Sequence, residues 1–278
     1  MAVGTIKGFR SVLNSVLRHN NIDISHNQDI SDVIRSFIIE RPIAKRVSVS
    51  WNIDIVLKFL CSNRFEPLSE ISLRDLTMKT LFLLAMALAK RISELQAISS
   101  KVGFVEEGAL VSFMLNFRAK NDYKMKRLPR NFLVKDLARL VGPEEESKLC
   151  PVRALKVYLD RTKMWRKEQG KNLFLAPRDP SRVASKNALA YLLKATIVEA
   201  HRGASEESLK VCKVKIHEVR AVSTSLSFAH NLSIESVLEA GQWRSNSVFT
   251  SHYLKEVSIL YESCRALGPI VAAGAVIS

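Results

Sequence analysis

The chain is poor in cysteine: it has four in 278 residues, Cys61, Cys150, Cys212 and Cys264, widely spaced and with no C-x-x-C pair. Such spacing argues against a zinc ribbon and against a disulfide framework, and fits reduced thiols inside a cell. Acidic residues are also scarce, with 27 Asp+Glu against 42 Lys+Arg and a formal charge of +15. The pI is near 9.8. A basic excess of this size favours polyanionic partners, and nucleic acid fits better than an anionic bilayer because no amphipathic lysine helix or membrane span accompanies it. Long apolar runs are missing too. Met1 to Asn20 lacks the apolar core of a signal peptide, and the apolar stretch Gly268–Ser278 is far too short to cross a bilayer. No His/Cys/Asp cluster has metal-ligand spacing, and no internal repeat or low-complexity tract is visible. The expectation is a soluble intracellular protein without a metal or other cofactor and without a membrane partner.

What is present is an ordinary globular composition, 47% hydrophobic and 25% charged, on a chain long enough for a sizeable core and one or two domains. Helical periodicity dominates. Phe9, Val12, Leu13, Val16 and Leu17 form an i, i+3, i+4, i+7, i+8 stripe, and Ile30–Ile39 and Trp51–Leu60 repeat helical patterns. These predict a short helical N-terminal region over residues 1–64, with "SNRFEPLSE" (62–70) as the joint to a second region, 65–278. There, Leu76–Leu88 is apolar nearly all round, which predicts a buried helix running into "KRISEL". "ALVSFMLNF" (109–117) alternates, with Val111, Phe113, Leu115 and Phe117 on one face; "RLPRNFLV" follows the polar tip "RAKNDYKMK". The pattern predicts a β-hairpin with a basic tip. Further helices are predicted at Pro151–Lys167, Lys186–Arg202, Lys215–His230, Ile234–Ala240 and Ser247–Ser263. The fold class is therefore mainly α with a small antiparallel sheet.

Several charged residues sit where apolar ones would be cheaper. Arg91 and Glu94 lie three apart at the end of the buried helix; they form either a self-contained ion pair or a carboxylate that turns the guanidinium fork toward a phosphate. His217 and Arg220 are three apart in "VKIHEVRAVS", so a helix would place imidazole and guanidinium side by side, on a solvated face or around one small anion. The hairpin tip carries Arg118, Lys120, Lys124, Lys126 and Arg127, either a solvated turn or a basic finger for a phosphate backbone. Downstream, Trp243 sits in a connection, and Tyr253 shares a stripe with Phe249, Val257 and Leu260. Tyr253 is either a core tyrosine or an accessible phenol.

In order and spacing, Arg91-Ile92-Ser93-Glu94-Leu95, the hairpin lysine, His217-Glu218-Val219-Arg220, Trp243 and Tyr253 resemble the tyrosine recombinase (phage-integrase-like) family over roughly residues 65–265. "FRSVLNSVLRHNNI", "LTMKTLFLLAMALAKRISEL" and "CPVRALKVYLDRT" are similar to the recombinases of DIRS-like and Ngaro-like retrotransposons. The resemblance implies a tyrosine recombinase catalytic fold preceded by a short helical core-binding-like lobe. It implies nuclear, metal-independent cleavage and rejoining of double-stranded DNA by a homo-oligomer, dimer to tetramer, in integration of a mobile element. Tyr253 would be the nucleophile, Arg91 and Arg220 the phosphate clamps, Lys120 the general acid, His217 a proton-transfer partner and Trp243 an indole N–H donor, with Glu94 in support. Arg118, Lys124, Lys126 and Arg127 would hold DNA. Trp243 and Tyr253 are one residue further apart than in the phage branch, which makes His252 and Tyr261 the controls. A type IB topoisomerase-like relaxation and a catalytically decayed basic DNA-binding protein share these features. The apolar end of the chain either buries itself on its own lobe or, following the family's habit, docks on a neighbouring protomer.

Overall fold

A computed structural model describes residues 3–40, 51–119, 131–137, 147–166, 172–202, 214–229 and 233–241. Within them the protein is mainly helical with a small antiparallel sheet. Its contacts divide it into two units, Met1–Arg46 and Val47–Ser278. None of the described helices is long and apolar enough to cross a membrane.

The first unit holds α1 (Val3–Leu17) and α2 (Gln28–Glu40). The turn between them is tied back to α1, because Arg10 donates to the Ser25 carbonyl at 2.6 Å and the Asn14 side chain accepts from the Ile24 amide at 2.8 Å. Ile34 is the buried hydrophobic side chain among this unit's described residues, while Phe9, Val12, Leu13 and Val16 of the stripe are exposed.

The second unit begins with α3 (Ile53–Cys61), which packs on α7 (Lys186–His201). The Asn52 amide donates to His201 Nε2 at 3.0 Å, and His201 Nδ1 lies 2.8 Å from the Ile197 carbonyl, so the proton sits on Nδ1. The segment 62–70, expected as the joint between lobes, lies inside this unit. Phe65 and Leu68 are buried, the Glu66–Pro67 peptide is cis, and α3 belongs to the larger core rather than to the N-terminal helices.

The centre of that core is α4 (Leu73–Leu88). It is capped by the Ser72 hydroxyl, which accepts from the Asp75 amide, and is buried at every position from Leu76 to Leu88. A helix apolar all round needs neighbours on all sides, and α4 has α6 (Pro151–Thr162), α7 and α8 (His217–Ala229) packed on it. The helix does not run on into Arg91. Ala89 adopts a left-handed conformation, φ 49°, and a separate five-residue helix, α5 (Ile92–Gln96), follows.

The sheet orders β1 (Gly103–Val105), β2 (Gly108–Ser112) and β3 (Asn131–Lys135) antiparallel. Ala109 pairs with Val134 and Val111 with Phe132. Gly108 has φ +153°, and a Cβ there would lie 2.0 Å from the Val134 carbonyl oxygen; only glycine fits. The hairpin's first strand is shorter than predicted. It stops at Ser112, Phe113 makes only an isolated bridge with Ile98, and Leu115 is exposed rather than on the inner face. A small second ribbon, β4 (Leu175–Ala176) with β5 (Asp179–Val183), precedes α7. α9 (Ile234–Gly241) completes the described elements; the helix predicted at Ser247–Ser263 lies outside the described residues.

Candidate anion-binding site

The left-handed turn at Ala89 redirects the chain so that Arg91, extended at φ −68° and ψ 155°, becomes the N-cap residue of α5. Glu94, at the third helical position, reaches back. Its Oε2 accepts from the Arg91 amide at 2.8 Å and its Oε1 from Arg91 Nη1 at 2.7 Å. The i, i+3 pair read from the sequence is thus real, but it closes a helix start instead of lying along a continuous helix. The carboxylate is 1% exposed and the Arg91 side chain 22% exposed, so the pair is held rigidly on one side and open on the other.

Arg220 arrives from α8. That helix packs on α4 through small residues, and the Ser223 hydroxyl donates to the Met86 carbonyl, which fixes the rotation of α8 around its own axis. Arg220 is 3% exposed and its Nη1 lies 3.9 Å from Glu94 Oε2, an ion pair beyond hydrogen-bond reach of that oxygen. One buried carboxylate therefore holds two guanidinium groups from different elements. His217, on the first turn of α8, is exposed.

These side chains border one cavity of about 360 Å³, whose lining includes Arg91, His217 and Arg220 together with Lys90 and Lys186. Two arginines, two lysines and a histidine thus line one small opening, and guanidinium forks are of a shape that suits a phosphate. The sequence reading missed Lys90 and Lys186. Lys186, exposed at the start of α7, gives no sign in the sequence that it lines this cavity. Lys90 does: it directly follows the apolar run of α4, and it is 4% exposed.

Of the other residues singled out, Arg118 is exposed, after β2. Lys120, Lys124, Lys126, Arg127, Trp243 and Tyr253 lie outside the described residues, as do the controls His252 and Tyr261. No group of three His, Cys, Asp or Glu able to hold a metal occurs among the described residues. Cys61 and Cys150 form no disulfide; Cys150 donates to Asp136 Oδ1 at 3.1 Å.

No protein-family model matches the chain, and no curated protein matches it.

Proposed function

We propose that this protein cleaves and rejoins DNA strands through a 3′-phosphotyrosyl intermediate, in the site-specific recombination that integrates a mobile element. The observation that carries the reading is the convergence of Arg91, His217 and Arg220 on one cavity, with both arginines gathered by Glu94. Two guanidinium groups on the non-bridging oxygens of a phosphodiester would stabilise the charge that grows in a pentacoordinate transition state.

The remaining roles come from the resemblance in sequence. The Tyr253 phenol oxygen attacks phosphorus, the bond from phosphorus to the 5′ oxygen breaks, and Lys120 delivers a proton to that leaving oxygen. His217 assists proton movement at the phenol or the phosphate, and Trp243 donates its indole N–H to a phosphate oxygen. Rejoining runs the same steps backward, so the energy of the broken bond is kept in the protein–DNA link. The +15 charge suits a protein that grips a duplex by its phosphates.

The test is covalent capture on a nicked duplex whose cleaved fragment diffuses away. Wild-type protein should yield a DNA adduct stable to denaturant, and Tyr253→Phe should bind the duplex but yield none. Loss of the adduct in Tyr261→Phe with retention in Tyr253→Phe would move the nucleophile. Capture without exchange between two duplexes would favour topoisomerase-like relaxation, and DNA binding with no adduct from any variant would leave a non-catalytic DNA-binding protein.

A further inference from the structure

We infer that the exposed apolar stripes of α1 and α2 form a self-association surface, on which a second copy of this chain lays its α2 against α1 and its α1 against α2, independently of DNA. The inference goes beyond the reading above and does not rest on it, since it concerns the first unit alone.

Helices of 15 and 13 residues are near the length at which a helix is marginal by itself, and these two have one buried hydrophobic side chain, Ile34, among their described residues. Most of their apolar surface points elsewhere. On α1, Phe9, Val12, Leu13 and Val16 recur at i, i+3, i+4 and i+7, so they share a face, and each is more than half exposed. The half-buried positions Ile6, Arg10 and Leu17 lie about a quarter-turn round the helix, on the side where Arg10 is bonded to the turn. α2 repeats the pattern with Val33 and Phe37, four apart and exposed. Stripes of this kind, unlike scattered single residues, mark a surface that another protein covers.

Charge names the occupant. α1 carries two cations, Lys7 and Arg10, and no acid, whereas α2 carries Asp29, Asp32 and Glu40 against Arg35. The two helices therefore hold net charges of equal size and opposite sign. Two copies related by a two-fold axis satisfy both at once, because the pairing that sets α1 on the second copy's α2 also sets α2 on its α1. Run antiparallel, Lys7 near the start of α1 meets Glu40 at the end of the second copy's α2, with the apolar stripes between them. DNA fits this surface poorly. Residues 3–40 hold four Lys/Arg against four Asp/Glu and so none of the chain's +15, and a polyanion is gripped by net positive charge. The same balance spares the surface the repulsion that two copies of so basic a chain otherwise exert on each other.

The experiment is sedimentation equilibrium of the full chain without DNA, over a range of protein concentrations. Wild type should pass reversibly from monomer to dimer. Val12→Glu/Val16→Glu, which alters two solvent-facing positions and leaves Ile34 alone, should weaken the dimer at least about tenfold, with urea unfolding below the dimerisation range as in wild type. Lys7→Glu and Glu40→Lys should each weaken it a few-fold by setting like charges together. An equimolar mixture of those two should recover wild-type affinity, because each α1–α2 contact between unlike copies again joins opposite charges. Wild type that stays monomeric, or a Val12→Glu/Val16→Glu dimer as tight as wild type, overturns the inference. So does a double variant that unfolds at lower urea as a monomer, which gives the stripe to its own chain, or one whose monomer loses DNA affinity, which gives it to the duplex. Charge variants that dimerise like wild type, alone and mixed, overturn the pairing of α1 with α2.

Discussion

Glu66 and Glu94 each gather two cationic side chains around one carboxylate, with different degrees of closure. At Glu66, Lys79 donates to Oε1 at 2.6 Å and to the Leu60 carbonyl at 2.8 Å. Arg153 adds a two-pronged fork, Nη1 to Oε1 at 2.7 Å and Nη2 to Oε2 at 2.6 Å. Lys79 has 0% side-chain exposure and Glu66 13%. At Glu94, Arg91 gives a single side-chain bond, the second oxygen is taken by a backbone amide, and Arg220 stands at 3.9 Å. The first arrangement saturates its carboxylate and pins residues 60–67 to α4 and α6. The second sets two guanidinium groups beside one buried carboxylate, and both arginines line the cavity. One carboxylate between two cations thus closes fully at Glu66 and only in part at Glu94.

The largest effect should come from breaking the staple. Glu66→Ala would leave the Lys79 ammonium buried with only carbonyl partners, and unpairing a buried ion costs about 3–5 kcal/mol. Urea unfolding should show that loss with phosphate binding intact in the folded fraction. The pH dependence follows. Burial alone would raise the Glu66 carboxyl, but hydrogen bonds from Arg153 and Lys79 hold it below its ordinary range. Its folded value is thus the lower one, so this contribution is complete above the ordinary carboxylate range and lost as pH falls through the folded value. Acid should therefore destabilise wild type more than Glu66→Ala. An equal acid response would show that the cluster is not the staple described.

The second effect sharpens the other half. Arg220→Lys keeps the charge near Glu94 but removes the planar fork, and an arginine that clamps a reacting phosphate is not replaced by lysine. Single-turnover DNA cleavage should fall about 10²-fold. Cleavage within a few-fold of wild type would place Arg220 with the structural ions.

Much of this was legible in the chain, and the failures have physical reasons. The buried helix, the hairpin and the pairs Arg91/Glu94 and His217/Arg220 follow from periodicity and from charge in apolar settings. The break at Ala89 does not, because alanine is the strongest helix former and a left-handed alanine is imposed by the packing around it. Residues 62–70 look like a linker by their Ser, Asn and Pro content, but Phe65, Leu68 and the ionic partners of Glu66 bury them. β1 and β4 are too short to carry a period, and β5, Asp-Pro-Ser-Arg-Val, has no apolar alternation. Lys186 reaches the cavity that Arg91 lines only through tertiary packing, which no local pattern encodes.

The smallest expected effect is on stability, in Arg91→Lys. The bond that matters structurally at this position is the Arg91 amide to Glu94 Oε2, and it belongs to the backbone, so it survives any side chain except proline. The side chain adds one bond, Nη1 to Oε1, from a group 22% exposed, and a lysine ammonium can donate a single bond of the same kind. Folding stability should change by less than about 0.5 kcal/mol, as for a partly solvated ion pair. Phosphate affinity should fall much more, because the lost feature is the second prong of the fork facing the cavity. Parallel urea unfolding and phosphate titration read both quantities on one sample. A stability loss above about 2 kcal/mol with unchanged phosphate affinity would make the Glu94 cluster a second staple, and the contrast with Glu66 would collapse.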